Sequence, residues 1–201
     1  MNAGFDGLIA PFFYGVTRPP VPAPGEFLDP ALSNPVRSED EGMTFEPALF
    51  LDATIEPLPG LRFVPGVRGD WETFMRAFWF DPRVTAFWEV VPGVSVKASA
   101  GRSHQPPLPN KLTKKFGNPD LLPEGSTQYA AGVEWALPWK LELDLQGYYK
   151  EFFQESVRSG ASVTEADGTT RRLNWESTGD GVGYGVELLL RRPPGDGLFG
   201  W

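Results

Sequence analysis

Residues Leu141 to Tyr149 read LELDLQGYY. Leu141, Leu143, Leu145 and Tyr149 fall on one side of the repeat; Glu142, Asp144, Gln146 and the following Lys150 fall on the other. Successive side chains of an extended chain point to opposite faces, so period two over this length is a β-strand. The preceding segment, Thr127 to Leu137, sets Tyr129, Ala131, Val133, Trp135 and Leu137 against Gln128, Gly132 and Glu134. Pro138-Trp139 joins the two as a short turn, which makes a hairpin.

The unit recurs in both directions. Phe45 to Ile55 opposes Leu49, Leu51, Ala53 and Ile55 to Glu46, Asp52 and Thr54, and turns at Pro59-Gly60. Leu61 to Trp71 opposes Leu61, Phe63, Val67 and Trp71 to Arg62, Arg68 and Asp70. Arg83 to Val90 turns at Pro92-Gly93 and returns as Val94, Val96, Ala98 and Ala100. Val182 to Leu190 ends in a turn at Pro194-Gly195, and Met1 to Val16 is a less regular first strand. Connections of another kind lie between these hairpins. Residues 17–42, 103–126 and 159–176 are long, the last with a small hairpin at Asp167-Gly168; residues 73–80 are the shortest of the set. The count is about eight complete strands and the start of a ninth at Leu198 to Trp201. Tight turns at one end and long loops at the other suit a membrane barrel better than a compact soluble domain.

Composition removes several alternatives. The 201 residues include 23 Gly and 21 Pro, a density that disfavours helical bundles. Seven Trp and 15 Phe argue against disorder. No cysteine excludes disulfide scaffolds and thiolate chemistry, and a single histidine excludes a multi-histidine metal site. A net charge of -8 argues against a nucleic-acid partner. Met1 to Ala10 lacks the charged and apolar regions of a signal peptide. No run reaches the ~18 apolar residues of a membrane helix, which leaves a membrane barrel open.

The two faces decide between barrel and sandwich. One carries Trp71, Trp88, Trp135, Tyr129, Tyr149 and Tyr184 near strand ends, with Leu, Val and Ala between them. Such placement suits an aromatic girdle at a membrane interface. The other carries ionisable residues of both signs, which a barrel would use to line its lumen: Asp52, Arg62, Arg68, Asp70, Arg83, Glu89, Lys97, Glu134, Glu142, Asp144, Lys150 and Glu187. A soluble β-sandwich would also have an apolar face, buried against a second sheet; the asymmetry of the connections favours the barrel. The expected fold is all-β: an antiparallel up-and-down meander, a curved open sheet of about eight strands forming part of a transmembrane β-barrel. Its first and last strands should leave free edges.

The local words, in order, resemble the barrel of TonB-dependent outer-membrane receptors. They are Pro65-Gly66-Val67-Arg68 with Asp70, Asp81-Pro82-Arg83-Val84, Lys97-Ala98-Ser99-Ala100-Gly101, and Gln105-Pro106-Pro107. They continue with Phe116-Gly117-Asn118-Pro119-Asp120-Leu121 and Glu124, Gln128-Tyr129 leading to Gly132-Val133-Glu134, Gly147-Tyr148-Tyr149-Lys150, and Gly183-Tyr184-Gly185-Val186-Glu187-Leu188. The resemblance spans residues 43 to 201, and Gly4-Phe5-Asp6 extends it to the start. It implies an outer-membrane location, lipid as surroundings, and a small-molecule nutrient of the siderophore, vitamin or sugar class as ligand. It also implies a plug and further barrel strands as partners, with the inner-membrane TonB complex acting through the plug. Residues 1–201 are expected to be a partial barrel without that plug.

Five residues are weak loop candidates for ligand contact: Arg102, His104, Gln105, Asn118 and Trp175. His104, in Arg102-Ser103-His104-Gln105-Pro106, reads more simply as a solvated loop residue. Glu134, Glu142 and Asp144 could imitate paired catalytic carboxylates, but a polar strand face explains them without catalysis. Glu39-Asp40-Glu41 reads as a solvated loop, and Gly181 to Gly185 as strand glycines. No catalytic residue, metal site or cofactor is expected. The competing functions are an enzyme on the same carboxylates, and a soluble β-sandwich or small β-barrel that binds carbohydrate or lipid.

Overall fold

The computed structural model describes residues 1–20, 22, 25, 27, 29, 34–193 and 200. Eleven strands follow in chain order: β1 (Asn2–Arg18), β2 (Val36–Asp52), β3 (Ile55–Leu58), β4 (Leu61–Glu72), β5 (Ala77–Val91), β6 (Val94–Gln105), β7 (Glu124–Leu137), β8 (Leu141–Arg158), β9 (Ser162–Thr164), β10 (Thr170–Arg172) and β11 (Trp175–Arg191). Single 3-10 turns occupy Pro109–Lys111 and Pro138–Lys140.

Eight long strands form one antiparallel sheet in the order β1-β2-β4-β5-β6-β7-β8-β11, and short β3 pairs beside β4. Every neighbour in the sheet is the next long strand in sequence. Among the described residues β1 and β11 do not pair, so the sheet is open. Among the described residues no second sheet packs against it; β9 and β10 form only the expected hairpin in the last long connection.

The alternation survives as two faces held in register across the sheet. One row runs Asp52, Gly66, Arg83, Gly101, Gln128, Lys150, Gly183 over seven strands. On the opposite face a row runs Leu61, Trp88, Val96, Val133, Leu145, Leu188. Six residues from Trp135, about 20 Å along the strand, Tyr129, Tyr149 and Tyr184 form a second row of direct cross-strand neighbours. This face is not covered. Leu188 is 68% exposed, Val186 75% and Tyr184 79%. The buried apolar residues are Ala48, Trp79, Leu112, Phe116 and Leu121, and the last three lie in the β6–β7 connection rather than in the sheet.

The turns at Pro59-Gly60, Pro92-Gly93 and Pro138-Trp139 lie at one end of the sheet, and the three long connections at the other. Gly60 and Gly93 have φ of 78° and 82°, which a side chain tolerates poorly. The turn expected at Pro194-Gly195 and the strand start at Leu198 to Trp201 lie outside the described residues. Gly200 alone is described there, bridged to Arg192.

Several boundaries differ from the sequence expectation. The strands run further toward the loop end than their alternation suggests, so the first long connection is 19–35 rather than 17–42, and the second is 106–123 rather than 103–126. Glu39-Asp40-Glu41 belongs to β2, paired with β1, and is not a loop. The strand expected to end at Ile55 breaks at Ala53-Thr54, where Ala53 donates to the Pro65 carbonyl. The connection expected over 73–80 is the four-residue turn 73–76. It is short because Glu72, 2% exposed, accepts the Phe74 and Met75 amides, while Thr73 and Phe45 bond reciprocally.

Candidate functional site

All twelve ionisable residues expected to share a face do so. Eight of the twelve are joined in ion pairs. Arg68 bonds Asp70 at 2.8 Å and Asp6 at 3.3 Å; Arg83 bonds Asp52 at 2.7 Å. Lys97 lies 2.7 Å from Asp144 and 3.1 Å from Glu134, and Arg191 lies 2.6 Å from Glu142. Glycines make these reaches possible. A Cβ on Gly66 would sit 2.0 Å from the Asp52 carboxylate oxygen, and one on Gly132 would sit 3.1 Å from the Lys97 side chain. Long side chains therefore lie flat across the neighbouring strand. Phe50 over Gly4 and Tyr148 over Gly185 do the same. A shallow cavity of about 380 Å³ opens among Ser95, Glu134, Glu142, Asp144, Leu189 and Arg191, near the tight-turn end.

At the loop end a second constellation forms around Glu124, the first residue of β7. Its carboxylate accepts from Lys111 at 3.0 Å, Gln105 at 3.2 Å and the Ser156 amide at 3.3 Å. The Ser156 amide lies just past an irregularity in β8, where Gln154 has φ 57° and the register with β11 shifts. Glu124 lies five residues, about 17 Å, beyond the tyrosine row toward the loops. Burial pushes its carboxyl pKa up, but the bonds from Ser156, Lys111 and Gln105 outweigh that and hold it below the usual glutamate value.

Lys111 also stacks on Trp175, its Nζ 5.0 Å from the ring centroid, and the Arg158 guanidinium stands 4.7 Å from the same ring. The 106–123 connection has a small core of its own, in which Phe116 is 1% exposed and contacts the Arg18 guanidinium at 4.5 Å. Its polar groups then reach both flanks of the sheet. Lys115 donates to the Arg37 carbonyl, Asn118 to the Trp175 carbonyl, and Ser177 Oγ accepts the Leu122 amide. Asn174 and Arg171 bring the β9–β10 connection against it through the Lys115 carbonyl and Asp120.

Of the five loop candidates, the structure brings Gln105, Asn118 and Trp175 together through Glu124 and Lys111. It does not bring the other two. Arg102 lies on the apolar-face parity with its guanidinium 4.4 Å from the Phe153 ring. His104 is not a solvated loop residue: its side chain is 10% exposed and its Nδ1 lies 2.6 Å from Asp81. Backbone pairing of β5 with β6 stops at Arg83–Gly101, and the Asp81 carboxylate takes the His104 amide beyond that point. Lys111, Glu124 and Arg158 were not among the candidates. Among the described residues no group of three or more metal-ligating side chains occurs.

The chain matches the model of a family described as TonB dependent receptor-like, β-barrel, over residues 5–201. No curated protein matches it. Among solved structures, the siderophore receptor PirA from Pseudomonas aeruginosa is 19% identical with a TM-score of 0.65, covering 79% of this chain and 33% of that one. The G324V mutant of the ferric enterobactin receptor PfeA from the same organism is 19% identical with a TM-score of 0.68, covering 98% and 34%. The outer membrane transporter YddB from Escherichia coli is 13% identical with a TM-score of 0.69, covering 94% and 27%. The likeness is one of fold, and the chain spans about a third or less of each of these proteins. With 197 consecutive residues under one family model, an open meander of the same fold and faces divided between ion pairs and apolar rows, the chain belongs to the β-barrel region of the TonB-dependent receptors.

Proposed function

We propose that the chain is the wall and loop mouth of an outer-membrane receptor that imports a scarce small-molecule nutrient of the siderophore, vitamin or sugar class. The observation that carries this is the division of the sheet: one face unburied and apolar with a register-aligned tyrosine row, the other laced with ion pairs. In a bilayer the first face meets lipid and the second lines an aqueous lumen. The twelve charged residues are then lumen-lining, and Gln105, Asn118 and Trp175, with Lys111 and Arg158, stand at the ligand entrance. Most carboxylates and cations on the lumen wall are tied to one another, which supports passage rather than catalysis. The remaining strands, a plug and the inner-membrane complex acting on it belong to the working assembly.

The chain has no cysteine, so single cysteines can report each face. Val186→Cys and Leu145→Cys should place a fluorescent label within reach of a lipid-soluble quencher in bilayers. Glu187→Cys and Gln146→Cys should favour a water-soluble one. Equal quenching at neighbouring positions would remove the barrel reading. For the mouth, a ferric tris-catechol chelate added to the micellar chain should quench tryptophan emission, and Trp175→Ala should reduce that quenching.

A further inference from the structure

The apolar face is not smooth. Between β5, β6 and β7 it dips into a shallow, open groove of about 500 Å³. Pro82, Val84, Ala100, Arg102, Thr127 and Tyr129 line it. Ala100 is the floor, with Val84 as its register partner on one side and Tyr129 on the other. Arg102 stands two residues, about 7 Å, further toward the loop end, opposite Thr127. It is therefore just above the tyrosine row, at the depth where lipid head groups lie.

The chemistry at the top of the groove is unbalanced. The Arg102 guanidinium rests against Phe153, and among the described residues it has no carboxylate partner. Glu151, across Thr127 on the same face, is engaged by the Tyr149 hydroxyl at 3.3 Å. An unneutralised guanidinium offers a planar fork of donors that matches phosphate oxygens. The groove below it offers mainly apolar surface and no second cation on this face. Free phosphate would leave the groove unused, and a neutral lipid would leave Arg102 unused.

We propose that Arg102 and this groove form a binding site for one phosphate-headed lipid of the loop-side leaflet, its acyl chain along Val84, Ala100 and Tyr129 and its phosphate on Arg102. The proposal rests on the reading that the apolar face meets lipid. Such a lipid is held at a set position along β5–β7, below the loop mouth.

The test uses the full chain in dodecyl maltoside micelles with dodecyl phosphate as the probe, read by native mass spectrometry of the chain released from the micelle. One dodecyl phosphate should bind the wild-type chain. Arg102→Gln should weaken it about tenfold, the scale of a lost charged hydrogen bond, and Ala100→Trp should weaken it by filling the groove. Inorganic phosphate at the same concentration should not displace it. Equal binding to wild type and Arg102→Gln, or displacement by inorganic phosphate, would overturn the lipid site. Loss of the strand signature in the circular dichroism of micellar wild type would overturn the barrel reading instead, and the proposal with it.

Discussion

Arg83 reaches Asp52 at 2.7 Å although β2 and β5 are not neighbours, and the residue it crosses is Gly66 of β4. The pair is a three-strand clasp whose middle member contributes only the absence of a side chain. Gly66→Ala should therefore break it from a distance. The exposed ends of the pair keep its own worth to about 0.2–1 kcal/mol, while a forced Cβ costs about 1–3 kcal/mol. Unfolding in micelles should place Gly66→Ala below Asp52→Ala. The double mutant Gly66→Ala/Asp52→Ala should be less destabilised than the sum of the singles, because the atom the new methyl strikes is gone. Strict additivity would mean the clash lies elsewhere.

Leu145 and Gln146 are adjacent and face opposite ways. Leu145→Arg should cost about 2–4 kcal/mol in a bilayer, the price of a cation on a lipid-facing strand position. Gln146→Arg should be close to neutral, since it joins a face already carrying Lys97 and Glu187 in the same register row. Urea titration of the two variants in vesicles measures the difference, and equal losses would undo the assignment of faces.

Phe116 is the most buried large side chain of the 106–123 connection. Phe116→Ala should cost about 3–5 kcal/mol of that segment's local stability without disturbing the sheet. Trypsin should then cut after Lys114 or Lys115 markedly faster than in wild type, with the strand signature unchanged. An unaltered cleavage rate would show that the polar ties hold the segment by themselves.

The Glu124 carboxyl has a folded pKa below its unfolded one. Its contribution is thus fully present above the unfolded glutamate value, about 4.3, and is lost as pH falls through the lower, folded one. The trypsin-resistant mouth should, after brief acid exposure read by pulsed hydrogen exchange, loosen only below the usual glutamate range. Glu124→Gln should loosen it at neutral pH and abolish the dependence. Loosening that begins near pH 6 would remove Glu124 as the group that holds the mouth.

The hairpin from Thr127 to Tyr149 was legible because apolar and charged residues alternate without interruption and a proline marks the turn. The upper part of β2 was not. Around Arg37 to Glu41 both parities are polar, so period two leaves no trace once a strand rises above the apolar rows. His104 illustrates a different limit. Its neighbours Arg102, Ser103 and Gln105 all suggest solvent, while the residue that fixes it, Asp81, lies 23 positions away. The Glu124 cluster escaped for the same reason: Lys111, Arg158 and Ser156 meet it only after two connections have folded inward. Period two reports which way a side chain points, and nothing in it reports what arrives from another loop.

A curved sheet with two unjoined sides has one soft deformation, the bending that spreads or closes its arc. The 106–123 connection rises from the middle of that arc and is fastened near one side at Arg18 and Arg37 and at the other at Trp175 and Ser177. In mechanical language it is a tie across an arch: a small compact knot whose lashings load when the sides part. A loop's few hydrogen bonds then add stiffness to this part of the mouth, and that share can be tuned there without altering a single strand.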